Sequence, residues 1–144
     1  MTLTFVTGGA RSGKSNFALE RAQKNGGSQV SFIAPAQAFD AEMLERIERH
    51  RLEEPLNLLN AFANVRTETV LLDCLSLWVS NLLLSGTTET ETLEQTEKWL
   101  ELASQKTLIV VSNEVGLGIV PEYPLGRQFR DTLGRVNQRV AARS

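Results

Sequence analysis

Short apolar runs alternate with amphipathic stretches along this chain, and the order predicts its elements. "LTFVT" (3–7) is β-rich and runs into the pair Gly8-Gly9. "SNFALERAQKN", starting at Ser15, has helical composition and meets Gly26-Gly27, a helix stop. "QVSFIA" (29–34) predicts a second strand closed by Pro35. In "DAEMLERIERHR" (40–51), Asp40 can cap a helix, and Met43, Ile47 and His50 recur at i, i+4 and i+7. That spacing predicts a helix over 40–51 with His50 on its apolar face.

After Pro55, "LNLLNAFANV" reads as a further helix. "TVLLDC" (69–74) is a near-continuous apolar segment ending in an acid, the pattern of a strand covered on both faces. "LSLWVSNLLL" (75–84) predicts an apolar helix that stops near Gly86. "TTETETLEQTE" (87–97) begins polar and passes into a helix bearing Trp99, Leu100 and Ala103. "TLIVVS" (107–112) is a fourth strand, and "GLGIVPEYPLG" (116–126), rich in glycine and proline, predicts an irregular loop. Phe129, Leu133, Val136 and Val140 then stack along a last helix over 127–142.

Strands that alternate with helices predict an α/β fold, a mainly parallel sheet with helices on both faces. Neither a linker nor an internal repeat interrupts it, so residues 1–144 read as one domain. Ligands of such sheets gather at the carboxyl ends of the strands. Segments 8–15, 34–36 and 112–116 fall there, as does Asp73.

The first of these carries chemistry. Gly8, Gly13, Lys14 and Ser15 satisfy G-x-x-x-x-G-K-[ST], with Gly9, Ala10, Arg11 and Ser12 between them. Small residues let backbone N–H groups converge on phosphate oxygens, and the following helix adds its dipole. Lys14 would reach the β- and γ-phosphates, while Ser15 and Asp73 would hold Mg²⁺. The motif predicts binding of GTP or ATP without choosing among hydrolysis, phosphoryl transfer and nucleotidyl transfer. The guanine motif N-K-x-D does not occur, which argues against a switch GTPase. At this size a small-molecule kinase is the default.

Composition narrows the partners. Net charge is −2 with no block of like charge, so neither nucleic acid nor an anionic membrane is indicated. Apolar runs such as "LIVV" (108–111) are too short to span a bilayer, and "MTLTFVTGG" does not read as a signal peptide. The single cysteine, Cys74, excludes an intrachain disulfide and fits a reducing, cytoplasmic compartment; it reads as a small buried residue. Trp78 and Trp99 read as packing or subunit contacts. His50, the only histidine, has two readings. It can be a packed helix residue, or, beside Arg46, Arg49 and Arg51, a nucleophile toward phosphorus.

"TGGARSGKS" (7–15), "IAP" (33–35), "D-x-E-M-x-x-R-I-x-x-H-R" (40–51), "LLDCLSLWVSNLL" (71–83) and "SNEVGLGIVPEYPLGRQFRDTLGRVNQRVA" (112–141) occur in order. Together they resemble the bifunctional adenosylcobinamide kinase/adenosylcobinamide-phosphate guanylyltransferase family. The resemblance implies a P-loop, RecA-like fold and two reactions. In the first, a nucleoside triphosphate phosphorylates adenosylcobinamide. In the second, a histidine takes GMP from GTP and passes it to adenosylcobinamide phosphate. His50 matches the guanylylated histidine, Arg51 follows it, Ile33, Ala34 and Pro35 match nucleotide contacts, and Glu53 matches a carboxylate facing guanine. Asn113 and Glu114 fall where they would orient metal or acceptor. The resemblance also implies a homo-oligomer, plausibly a trimer. Relative to the family pattern, a run with proline, tryptophan and arginine between "HR" and "EEP" is missing, and so is a final β-strand. The alternative is another P-loop small-molecule kinase with no guanylyl step; a nucleotide-dependent binding module is a third reading.

Overall fold

The computed structural model describes residues 2–8, 13–27, 29–33, 49–52, 58–113 and 124–144. Among the described residues, five strands form one parallel sheet: β1 (Thr2–Gly8), β2 (Val30–Ile33), β3 (Arg49–Leu52), β4 (Thr69–Asp73) and β5 (Thr107–Asn113). Their order across the sheet is β1-β5-β4-β2-β3. The helices are α1 (Lys14–Gly26), α2 (Leu58–Ala63), α3 (Leu75–Leu84), α4 (Glu89–Leu102) and α5 (Pro124–Ala141).

Alternation along the strands divides the core in two. Leu3, Val70, Leu72, Leu108 and Val110 face α2, α3, α4 and α5, and Leu71, Ile109 and Val111 face α1. Ala18, Leu19 and Ala22 are the positions that α1 presents to its side of the sheet. β4 is buried at every residue, as its unbroken apolar run predicts. On the thicker side, Trp99 stacks on Phe62 with centroids 5.3 Å apart and meets Trp78 edge-on at 6.1 Å. Both tryptophans are fully buried, so packing is their role here. Charged pairs tie α4 to α5: Glu89 to Arg135, and Glu97 to Arg139 at 3.2 Å and to Arg143 at 2.7 Å.

Two elements differ from the sequence reading. Residues 49–51 lie in a strand rather than at the end of a helix, because β2 offers them a paired edge in register Ser31↔His50. The remainder of the expected helix, 40–48, lies outside the described residues. The last helix begins at Pro124 and takes in Gly126, both of which the sequence pattern assigns to the loop. Proline suits a first helical position, where its missing N–H has no intrahelical acceptor to lose. No described helix is long and apolar enough to cross a membrane.

Candidate functional site

β1 ends at Gly8, and α1 opens at Lys14 after Gly13, whose φ of 81° is a left-handed value suited to glycine. The helix has no acidic residue in its first turn, so its N-terminal partial charge is not cancelled locally. Lys14 and Ser15 are half-buried at this end, within reach of a ligand.

Across the sheet, β4 delivers Asp73 to the same place. The carboxyl is only 2% exposed, hydrogen-bonds Ser15 and lies near the Lys14 charge. Burial pushes its pKa above the usual carboxylate value; the Ser15 hydrogen bond and the Lys14 charge offset part of that rise. Its Oδ2 is buried with no hydrogen-bond partner among the described residues. A desolvated carboxylate oxygen of this kind, one hydroxyl away from a phosphate loop, suits a hard cation with oxygen ligands. Cys74 follows Asp73 and precedes α3, buried, with Sγ 3.0 Å from Ser76 Oγ and its thiol pKa raised chiefly by burial. It fills the α1 side of the core and has the plain packing role expected of it.

β5 runs between the two halves of the site. Gly8 pairs with Asn113 and Val111 pairs with Asp73, so one strand sets the spacing from loop to acid. Ser112, between those two rungs, donates to Asn137 Oδ1 at 2.7 Å. The sequence reading passed over this pair, although a serine ending an apolar strand and an asparagine inside an apolar helical stripe are visible signals.

The structure thus brings Lys14, Ser15 and Asp73 together, with Gly13 directly before Lys14 and Gly8 at the end of β1, two strands from Asp73. Ile33 is the last residue of β2, two strands from β5. His50 and Arg51 lie on β3, at the far edge from β1. Position 50 pairs with Ser31, which pairs with Val70, three residues before Asp73. By strand spacing the two backbones stand about 14 Å apart. The described backbone therefore does not place His50 beside the phosphate loop. Gly9, Ala10, Arg11, Ser12, Ala34, Pro35, Glu53 and Glu114 lie outside the described residues. A cavity of about 590 Å³ lined by Asn64, Arg66 and Thr67 opens at the amino ends of β2 and β4, the opposite end of the sheet from this chemistry.

Comparison with known proteins gives the family. Residues 4–144 match the family model for cobinamide kinase/cobinamide phosphate guanyltransferase. The bifunctional adenosylcobalamin biosynthesis protein CobP of Pseudomonas aeruginosa is 43% identical over 154 aligned positions, covering 96% of this chain and 86% of that protein. CobU of Escherichia coli K12, of the same description, is 39% identical over 166 positions, covering 97% of this chain and 90% of that one. CobU of Salmonella typhimurium is 38% identical with similar coverage. Both the 154 and the 166 aligned positions exceed the 144 residues of this chain, so these relatives carry residues that it lacks. The chain belongs to the cobinamide kinase/cobinamide phosphate guanyltransferase family, bifunctional enzymes of adenosylcobalamin biosynthesis that use nucleoside triphosphates.

Proposed function

We propose that both activities draw on one triphosphate grip, built from Gly8 through Ser15 with Asp73, and that His50 is the residue guanylylated in the second. The observation that carries the grip is the convergence of Lys14, Ser15 and the buried Asp73 carboxyl at the start of α1. Mg²⁺ would be held by Ser15 and Asp73 and would supply charge neutralisation at the phosphates. Lys14 neutralises oxygens of the β- and γ-phosphates, and the α1 N-terminus adds backbone donors. In the kinase step, the adenosylcobinamide hydroxyl attacks the γ-phosphorus and a nucleoside diphosphate leaves. In the guanylyl step, a His50 ring nitrogen attacks the α-phosphorus of GTP. The P–N bond forms as the bond to pyrophosphate breaks. The phosphate of adenosylcobinamide phosphate then displaces the imidazole, giving adenosylcobinamide-GDP. Arg51, Glu53, Ile33, Ala34 and Pro35 would contact the nucleotide, as the family resemblance implies.

We also propose a cytoplasmic homo-oligomer, a trimer. The separation between position 50 and Asp73 leaves two arrangements open to test: His50 serves the triphosphate site of its own chain or that of a second copy. Equal amounts of Lys14→Ala and His50→Ala protein, mixed, regain labelling if the two parts of a site come from different copies.

The deciding experiment uses GTP labelled at the α-phosphate. An acid-labile, base-stable label on the protein, absent in His50→Ala, is the expected result. His50→Ala should keep kinase activity, whereas Lys14→Ala should lose both activities by on the order of 100-fold or more. Labelling that persists in His50→Ala removes that residue from the mechanism.

A further inference from the structure

The end of β5 is where packing changes character. Leu108 and Val110 bury into one face of the sheet, Ile109 and Val111 into the other. The next residue, Ser112, is also fully buried, and its hydroxyl donates to Asn137 Oδ1 at 2.7 Å. Asn137 belongs to α5 and is half-buried, among Leu133, Val136 and Val140, which seal the core. A polar pair is a poor choice here if stability alone matters. Apolar side chains at both positions would avoid desolvating a hydroxyl and an amide and would add contact. A short, directional hydrogen bond supplies orientation, which dispersion contacts do not.

Register shows what is oriented. Ser112 pairs with Thr7, the following rung joins Gly8 to Asn113, and the preceding residue, Val111, pairs with Asp73. α5 is seated by Leu133, Val136 and Val140, all fully buried in the core, so Asn137 sits on a packed helix. We propose that Asn137 is a positioning residue for phosphoryl transfer: through Ser112 it holds the end of β5, and with it the spacing between Gly8 and Asp73. This rests on the reading of the phosphate loop and Asp73 as the triphosphate site. Loosening the strand end leaves the loop able to bind nucleotide but lets the transferred phosphoryl group drift from its line to the acceptor. Small misplacements of this kind cost up to about 100-fold in rate.

The test is steady-state kinase kinetics on the whole chain with MgATP or MgGTP and cobinamide, alongside thermal melting. Asn137→Ala should lower kcat about tenfold or more while KM for nucleotide stays within about threefold. Asn137→Asp, which keeps an Oδ acceptor for the Ser112 hydroxyl, should restore most of kcat. The apolar pair Ser112→Ala/Asn137→Leu should melt near the wild type yet stay slow. A fast apolar pair, or an Asn137→Ala enzyme that melts early but turns over normally when folded, overturns the proposal. Lys14→Ala is the control for the underlying reading. If it binds and turns over triphosphate like the wild type, the nucleotide site is misassigned and the proposal falls with it. If Lys14→Ala is inactive while Asn137→Ala is fully active, only the positioning role fails.

Discussion

Asp73 sits in tension with its own fold. Burial disfavours its charged form, and Ser15 and Lys14 compensate only in part, so the folded protein holds the proton at a pH where the unfolded chain has released it. The sign follows from linkage. Because the folded pKa lies above the ordinary 3.8, folding is favoured below that value, and the advantage is lost as pH rises through the folded pKa. At neutral pH Asp73 is therefore a cost to stability. Asp73→Asn should raise the melting temperature of the ligand-free protein at pH 7 and remove the loss of stability that Asp73 causes as pH rises from 3.8 through its folded pKa. Activity should fall by on the order of 100-fold or more, because an amide cannot replace an anionic ligand. A lower melting temperature in Asp73→Asn would mean that the carboxylate is satisfied after all. The sequence made this residue's place legible: an acid ending an apolar strand falls at the carboxyl end of the sheet, where Ser15 also lies. His50 was legible only as a histidine among arginines. Periodicity put it on a helix, whereas its backbone lies in a strand on the far side of the sheet from Gly8.

Elements were readable wherever burial on two sides forced a plain pattern. β1, β2, β4 and β5 fall within one residue of their apolar runs at each end, and α3 covers the stretch assigned to it. β3 was not readable, because "RHRL" has no strand pattern of its own; an available edge on β2 decides its state. Pro124 and Gly126 misled for the opposite reason, since both residues mark loops in general and are tolerated at a helix start. α4 shows a helix start written in the sequence. Thr88 Oγ1 accepts the Glu91 N–H at 3.1 Å, a side-chain N-cap, and its hydroxyl donates to Glu91 Oε1 at 3.1 Å. The C-terminal end of α1 instead depends on close approach. A Cβ on Gly26 would stand 2.9 Å from Thr69 Cβ and Oγ1 and 3.0 Å from Val30 Cγ2, with two β-branched side chains in the way. Gly26→Ala should cost about 1–3 kcal/mol. Gly134, inside α5, has nothing within 4 Å of the same atom, so Gly134→Ala should gain about 0.5–1 kcal/mol. Urea titration of the two variants reads both, and equal effects would mean that α1 is not packed as closely as described.

At the scale of the molecule, the sheet order separates what is rigid from what is reactive. β4 and β5 have a strand on each side and helices on both faces, whereas β3 borders one strand and β1 is paired only with β5 among the described strands. The phosphate loop leaves from β1 and the acid from β4, so the site spans a well-held centre and a less-held edge. Hydrogen exchange should reflect this order. Amides of β4 and β5 should exchange only through global unfolding, and those of β3 through local opening at much lower cost. Saturating nucleotide adds a test of where the ligand acts. A ligand present at 100 times its Kd and bound only to the folded state stabilises it by about 2.7 kcal/mol, which slows globally exchanging amides about 100-fold. β4 and β5 should slow by that factor, β1 and the first turn of α1 should gain at least some protection, and β3 should change least if it opens without disturbing the loop. Strong new protection in β3 on addition of GTP, with none on addition of ATP, would instead mean that the strand carrying His50 joins the guanine nucleotide. That pattern would tie the edge of the sheet to guanylyl transfer and its centre to the shared triphosphate grip.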